Sequence, residues 1–173
     1  DYIAMTAKDI FSKIPIQSMD VGSYDLLQIR VLLEGKNESG IITPCQVVLM
    51  QELERWNGLV LRMASTLQDL QKALVGEIGM SDELDNLGDS LFNGFLPGMW
   101  RRLAPSTEKP LGPWMSHYTK RNDLYENWIK EGEPAVMWLS GLHIPESYLT
   151  ALVQTTCRAK KWPLDKSTLY TVV

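Results

Sequence analysis

Residues 43–74 read TPCQVVLMQELERWNGLVLRMASTLQDLQKAL, and this stretch decides the fold class. Thr43 before Pro44 is a helix start: a hydroxyl that can accept from the first free N–H groups, then a residue whose missing N–H costs nothing at the first helical position. From there Leu49, Leu53, Trp56, Val60, Met63, Leu67, Leu70 and Leu74 follow one another at alternating steps of four and three. That is a heptad seam held for about four heptads with no proline to interrupt it. Gly58 is the one weak helix former inside, and Gly76 and Gly79 supply the stop. The pattern predicts a helix of ~33 residues, about 50 Å long at the usual rise. Val48, Leu59 and Leu61 widen the apolar face beyond a two-stranded seam, which favours a helix packed inside a larger body over a free coiled coil.

Working outward, shorter helical patterns flank this rod. Ile3, Ala7, Ile10, Phe11 and Ile14 stand at helical spacing until Pro15. A second amphipathic stretch runs from about Ser23 to Leu33, with Leu26, Leu27, Ile29, Leu32 and Leu33 apolar. The polar, glycine-bounded segment from Glu34 to Gly40 is a loop and the first organisational boundary. Downstream, Ser81 caps a helix carrying Leu84, Leu87, Leu91 and Phe92, with Asp82, Glu83 and Asp85 at its positive end. Pro97, Gly98 and Pro105 break the backbone around Met99 and Trp100. A further helix is expected from about Leu111 to Lys130, with Trp114, Tyr118, Arg121, Tyr125 and Trp128 along one face. Ala135 to Leu139 is a short apolar run, either a buried strand or a buried helical turn, and periodicity does not decide which. Pro145 opens a last helix with Leu149, Leu152, Val153 and Cys157 inward. Thr168 to Val173 is β-branched and aromatic, which is strand chemistry without an upstream partner. The fold class is therefore mainly α, ending on one strand.

The composition is that of a globular domain, with 45% hydrophobic and 22% charged residues, enough to bury a core without staples. A net charge of -4 speaks against a nucleic-acid-binding surface. No apolar run approaches the ~20 residues of a membrane span, and the start lacks the basic flank and apolar core of a signal peptide. Opening on Asp1 suggests a piece excised from something longer. Cys45 and Cys157, far apart, are expected to be reduced, partly buried thiols.

A search for chemistry ends without a site. No GxxxxGK[ST] or GxGxxG occurs; Gly35-Lys36 is followed by Asn37. His117 and His143 form neither HExxH nor a close pair, and no Cys/His/carboxylate cluster has metal-ligand spacing. The acids Asp82, Glu83, Asp85 and Asp89 are accounted for by a solvated helix start. Ser140-Gly141 lacks the nucleophile elbow. The rings from Trp114 to Trp128, together with Trp138, are expected to pack or dock and not to form a ligand cage. No catalytic, cofactor or metal residue is expected in this segment. The packing candidates are the eight seam residues with Trp114, Trp128 and Trp138.

Four blocks resemble the carboxy-terminal domain of axonemal dynein heavy chains. They are Gln51 to Asn57; Ser65 to Leu70 with Ala73, Leu74, Gly76 and Met80-Ser81; Pro97 to Trp100 followed by Lys109 to Trp114; and Trp138 to Ala151. The family usually has aromatics where Leu142 and His143 stand here, and often Gln at Glu146. With residues 99–105 and 162–165, the blocks look most like a beta-type heavy chain of a two-headed inner-arm dynein. The match is good over residues 40–173 and rests on position and helicity alone over 1–35. The resemblance implies a helical lead-in after the sixth AAA+ module (1–40), the helical part of the carboxy-terminal domain (41–163) and the first strand of a small, truncated β-barrel (164–173). It implies a location in the cytoplasm and in the ciliary or flagellar axoneme. It also implies contact with AAA+ ring modules of the same heavy chain, while ATP, Mg, microtubules and other dynein subunits belong to the rest of the parent. The rival from the residues alone is a free-standing helical adaptor that dimerises through the heptad helix.

Overall fold

A computed structural model describes residues 1–160. Among these, seven α-helices and one 3-10 turn occur: α1 (Tyr2–Ser12), α2 (Leu26–Gly35), α3 (Pro44–Leu74), α4 (Asp82–Asn93), α5 (Gly98–Arg101), α6 (Leu111–Glu131), the turn Leu139–Gly141, and α7 (Pro145–Lys160). The only extended pairing among the described residues is an isolated bridge between Ser18 and Gly22. The expected strand at 168–173, and with it the barrel, lies outside the described residues. No helix among them is long and apolar enough to cross a membrane.

The long helix forms as its sequence dictates. Thr43 accepts from the Gln46 N–H while the Gln46 side chain accepts from the Thr43 N–H, a reciprocal capping box. The helix runs 31 residues, about 46 Å, and stops at Leu74, just before Gly76 turns to φ +82°. α1, α2, α4, α5 and α7 all come close to it, so α3 is the axis of the domain. α6 is the exception: a layer of aromatic rings holds it off from α3.

Four local expectations are corrected. α2 begins at Leu26 and not near Ser23, because the N–H groups of Ser23 and Tyr24 bond to the side chain of Asn57 and Asp25 caps the helix instead. Its Leu27 and Val31, 79% and 69% exposed, face outward, leaving Leu33 as the buried anchor. In α4, Leu84, Leu87 and Leu91 turn inward but Phe92 does not; it meets Tyr2 edge-on at the surface. The run 135–139 is neither a strand nor a buried helical turn: residues 135–138, after Gly132 and Pro134, are a loop with Val136 88% exposed, and Leu139, half-buried, only opens the 3-10 turn. In α7 the fully buried row is Tyr148, Ala151 and Cys157, with Leu149, Leu152 and Val153 half-buried.

Candidate functional site

Seven of the eight seam residues, Leu49 through Leu70, are at most 1% exposed, while Leu74 is half-buried at the end of the helix. The buried stripe is nearly two residues wide at each turn (Val48/Leu49, Glu52/Leu53, Trp56/Asn57, Leu59/Val60, Met63/Ala64, Thr66/Leu67) and so is wrapped by several neighbours at once. A dimerising adaptor needs that seam on the surface; here the domain's own helices have consumed it.

Along the near side of α3 runs a ladder of rings. Trp100 stacks on Trp114 (centroids 6.3 Å apart), Trp114 lies against Tyr118 (5.5 Å), Tyr118 stacks on Trp56 (4.5 Å), and Trp56 meets Tyr125 edge-on (5.6 Å). Trp128 is buried too and packs against Tyr148 of α7. The stripe Trp114–Tyr118–Arg121–Tyr125–Trp128 is thus core, as its spacing predicts. Trp138 is a different case. It is half-buried in the loop before the 3-10 turn, where its ring lies 4.8 Å from the ring of His117 and under the Lys120 ammonium at 4.2 Å. Gly141 makes room for it, since a Cβ there would come within 2.3 Å of the Trp138 ring.

The residues that decide the architecture most sharply are polar, and sequence reasoning missed them as a group. Glu52 is 1% exposed and Arg121 2%. One Glu52 oxygen accepts from the Tyr125 hydroxyl (2.9 Å) and the His143 N–H (2.7 Å), and the other from the Ile144 N–H (3.0 Å). Arg121 donates through Nε to the Gly141 carbonyl (2.9 Å) and through Nη2 to the Tyr125 oxygen (3.0 Å), and its guanidinium lies over the Trp56 ring at 5.1 Å. Tyr125 therefore bridges a buried anion and a buried cation, and burial pushes its phenol well above the ordinary value, so it stays protonated as a donor. The cluster ties α3, α6 and the segment leading into α7 together at one point. Burial also lowers the basicity of His143, whose Nδ1 has no partner among the described residues, and of His117.

A second clamp sits one turn along. Asn57 accepts from the Ser23 and Tyr24 N–H groups (3.0 Å each) and donates to the Tyr24 carbonyl (2.7 Å), while Trp56 Nε1 donates to Ser23 Oγ (3.0 Å). Gly22, at φ +88°, allows this approach; a Cβ there would stand 3.0 Å from the Asn57 side chain. Further along, Trp100 Nε1 donates to Thr66 Oγ1 (3.0 Å). At the other end, Lys36 donates to the carbonyl of Ile129 and closes the last turn of α6. Both cysteines are buried, and burial pushes the Cys45 thiol up to about 12, away from nucleophilic use. No group of three His, Cys, Asp or Glu among the described residues could hold a metal ion. What the geometry can do is hold helices in register.

One signal for the missed residues was present. Glu52 stands four after Val48 and four before Trp56, on the apolar face; a charge there must be either an error or a buried partner.

A family model describing the C-terminal domain of dynein heavy chains matches residues 1–173. The sequence is 54% identical over all 173 residues to dynein axonemal heavy chain 10 of Homo sapiens, and likewise 54% to the dynein-1-alpha heavy chain of the flagellar inner arm I1 complex of Chlamydomonas reinhardtii. The dynein-1-beta heavy chain of that complex is 40% identical over 119 residues, 69% of the present sequence. Of the two I1 chains the alpha chain is therefore nearer, where the sequence blocks pointed to a beta type. The chain spans 4% of the length of the first two relatives.

Proposed function

This protein belongs to the family of dynein heavy chains, as their C-terminal domain, and from that premise we propose that it is the non-catalytic cap of an axonemal heavy chain, packed on the AAA+ ring of a minus-end-directed microtubule motor of cilia and flagella. ATP and Mg are handled by other modules of the parent, and microtubules and other dynein subunits are met through it. The cap's role is mechanical: it couples ring modules through a stiff axis. The observation that supports this is the burial of α3 over its whole seam, with its surroundings pinned to it by the Glu52 and Asn57 clamps. A helix of about 46 Å gripped along its length resists bending, which a coupling element requires.

The experiment is to replace Leu53 or Leu67 by Asp in the full heavy chain. The expected result is loss of microtubule gliding with nucleotide binding retained. Unchanged gliding together with unchanged thermal stability would overturn the reading.

A further inference from the structure

If the domain docks on its parent, one face offers a shaped receptor. Glu146, Thr150, Gln154 and Arg158 succeed one another at steps of four along α7, and with Val47 and Gln51 of α3 they line an open cavity of about 550 Å³. The row is about 18 Å long, three helical turns. The floor is apolar and small: Val48 and Ala151 are buried and Val47 is 39% exposed. The side-chain amides of Gln51 and Gln154 make no hydrogen bond with the described residues, and Glu146 and Arg158 are in no ion pair with them. Each charge suits the dipole of α7 itself, yet each also stands at one end of the cavity.

We propose that this groove receives a three-turn amphipathic helix from another part of the same heavy chain, running antiparallel to α7. Such a helix brings its basic last turn to Glu146 and its acidic first turn to Arg158, and lays its apolar side on Val47 and the half-buried Ile42. The inference rests on the proposed docking of the domain. The same polypeptide is the natural source, because residues 1–173 span 4% of the relatives' length. A second copy fits less well: its own α7 ridge presents Thr150 and Gln154 at the centre, with no apolar side chain to fill the floor.

The test uses the full heavy chain with a photoreactive residue, Gln154→p-benzoylphenylalanine, and a second version with the probe at Leu27 on the outer face of α2. After irradiation, the cross-linked peptides are identified by mass spectrometry. The expected product at 154 is a peptide of the same heavy chain from outside residues 1–173, helical and carrying opposite charges about three turns apart. Adding Arg158→Glu is expected to lower that yield roughly threefold to tenfold. A cross-link to a second copy or to another polypeptide overturns the proposal, as does a yield indifferent to Arg158→Glu. Cross-linking within the heavy chain from position 27 but not from 154 rejects the groove and leaves the docking reading intact. Failure at both positions rejects both.

Discussion

The two halves of α3 are held by different physics. From Met63 to Leu70 the grip is aliphatic: α1 and α4 close in on it, a Cβ placed on Gly88 of α4 would meet Ile3 and Leu70 at ordinary van der Waals distance, and one polar contact, Thr66 to Trp100, crosses the boundary. From Val48 to Val60 the helix carries a buried carboxylate and a buried amide, each tied to backbone groups on a distant segment. Aliphatic contact is non-directional and tolerates sliding, at roughly 25 cal/mol per Å². A carboxylate that accepts three bonds tolerates none, because a displaced donor is left unsatisfied in a medium where that is costly. One half supplies stability and the other fixes which loop sits where.

The comparison can be broken most severely from the aliphatic side. Leu67→Asp puts an unpaired charge where there is no donor and is expected to cost on the order of 5 kcal/mol in denaturant melts. A loss below about 1 kcal/mol would show that this half is not sealed as described. Glu52→Ala comes next, about 3–4 kcal/mol, since it strands the Tyr125 hydroxyl and two N–H groups and removes the anion that shares Tyr125 with the buried Arg121. To sharpen the contrast, Glu52→Ala with Tyr125→Phe should show a coupling of about 1–3 kcal/mol, whereas Glu52→Ala with Leu67→Ala should add within about 0.5 kcal/mol. Thr66→Val removes the acceptor of Trp100 Nε1 and should cost about 1–2 kcal/mol.

The smallest effect is that of acidity. His143 is harder to protonate in the fold than its ordinary 6.5, chiefly through burial. As pH falls below 6.5 the unfolded polypeptide takes up a proton that the folded one refuses, so stability drops until the lowered folded value is passed. His117 adds in the same direction. Melting curves from about pH 7.5 to about pH 5.5 should show the decline, and His143→Gln should remove part of it.

What could be read beforehand follows the same division. The seam from Leu49 to Leu70 was legible because aliphatic burial writes itself into local spacing, and so were the caps at Thr43 and Ser81, whose partners lie three residues away. The α6 stripe was legible for the same reason. The bonding partners of Glu52, Asn57 and Arg121 were not, because they are set by the tertiary path and no local period encodes them. The start of α2 was misplaced because Asn57 takes its would-be first donors. The run 135–139 was misjudged because hydrophobicity without period names no element, and Trp138 there lies on a histidine and a lysine and not in a core.

The Glu52 clamp also sets an order of events. Its carboxylate and the His143 N–H are 91 residues apart in sequence, and closing so long a loop costs entropy that no local contact returns beforehand. Helix α3 can form and gather α1 and α4 from nearby sequence, but Glu52 must wait for α6 and the approach to α7. In synthesis, which delivers the amino-terminal part first, the ribosome exposes this acid well before its donors exist. The Glu52 clamp is thus the last of the polar ties on the axis to set, after the Asn57 clamp whose partners lie upstream, and a nascent polypeptide stalled before residue 144 carries a finished helix with that clamp open.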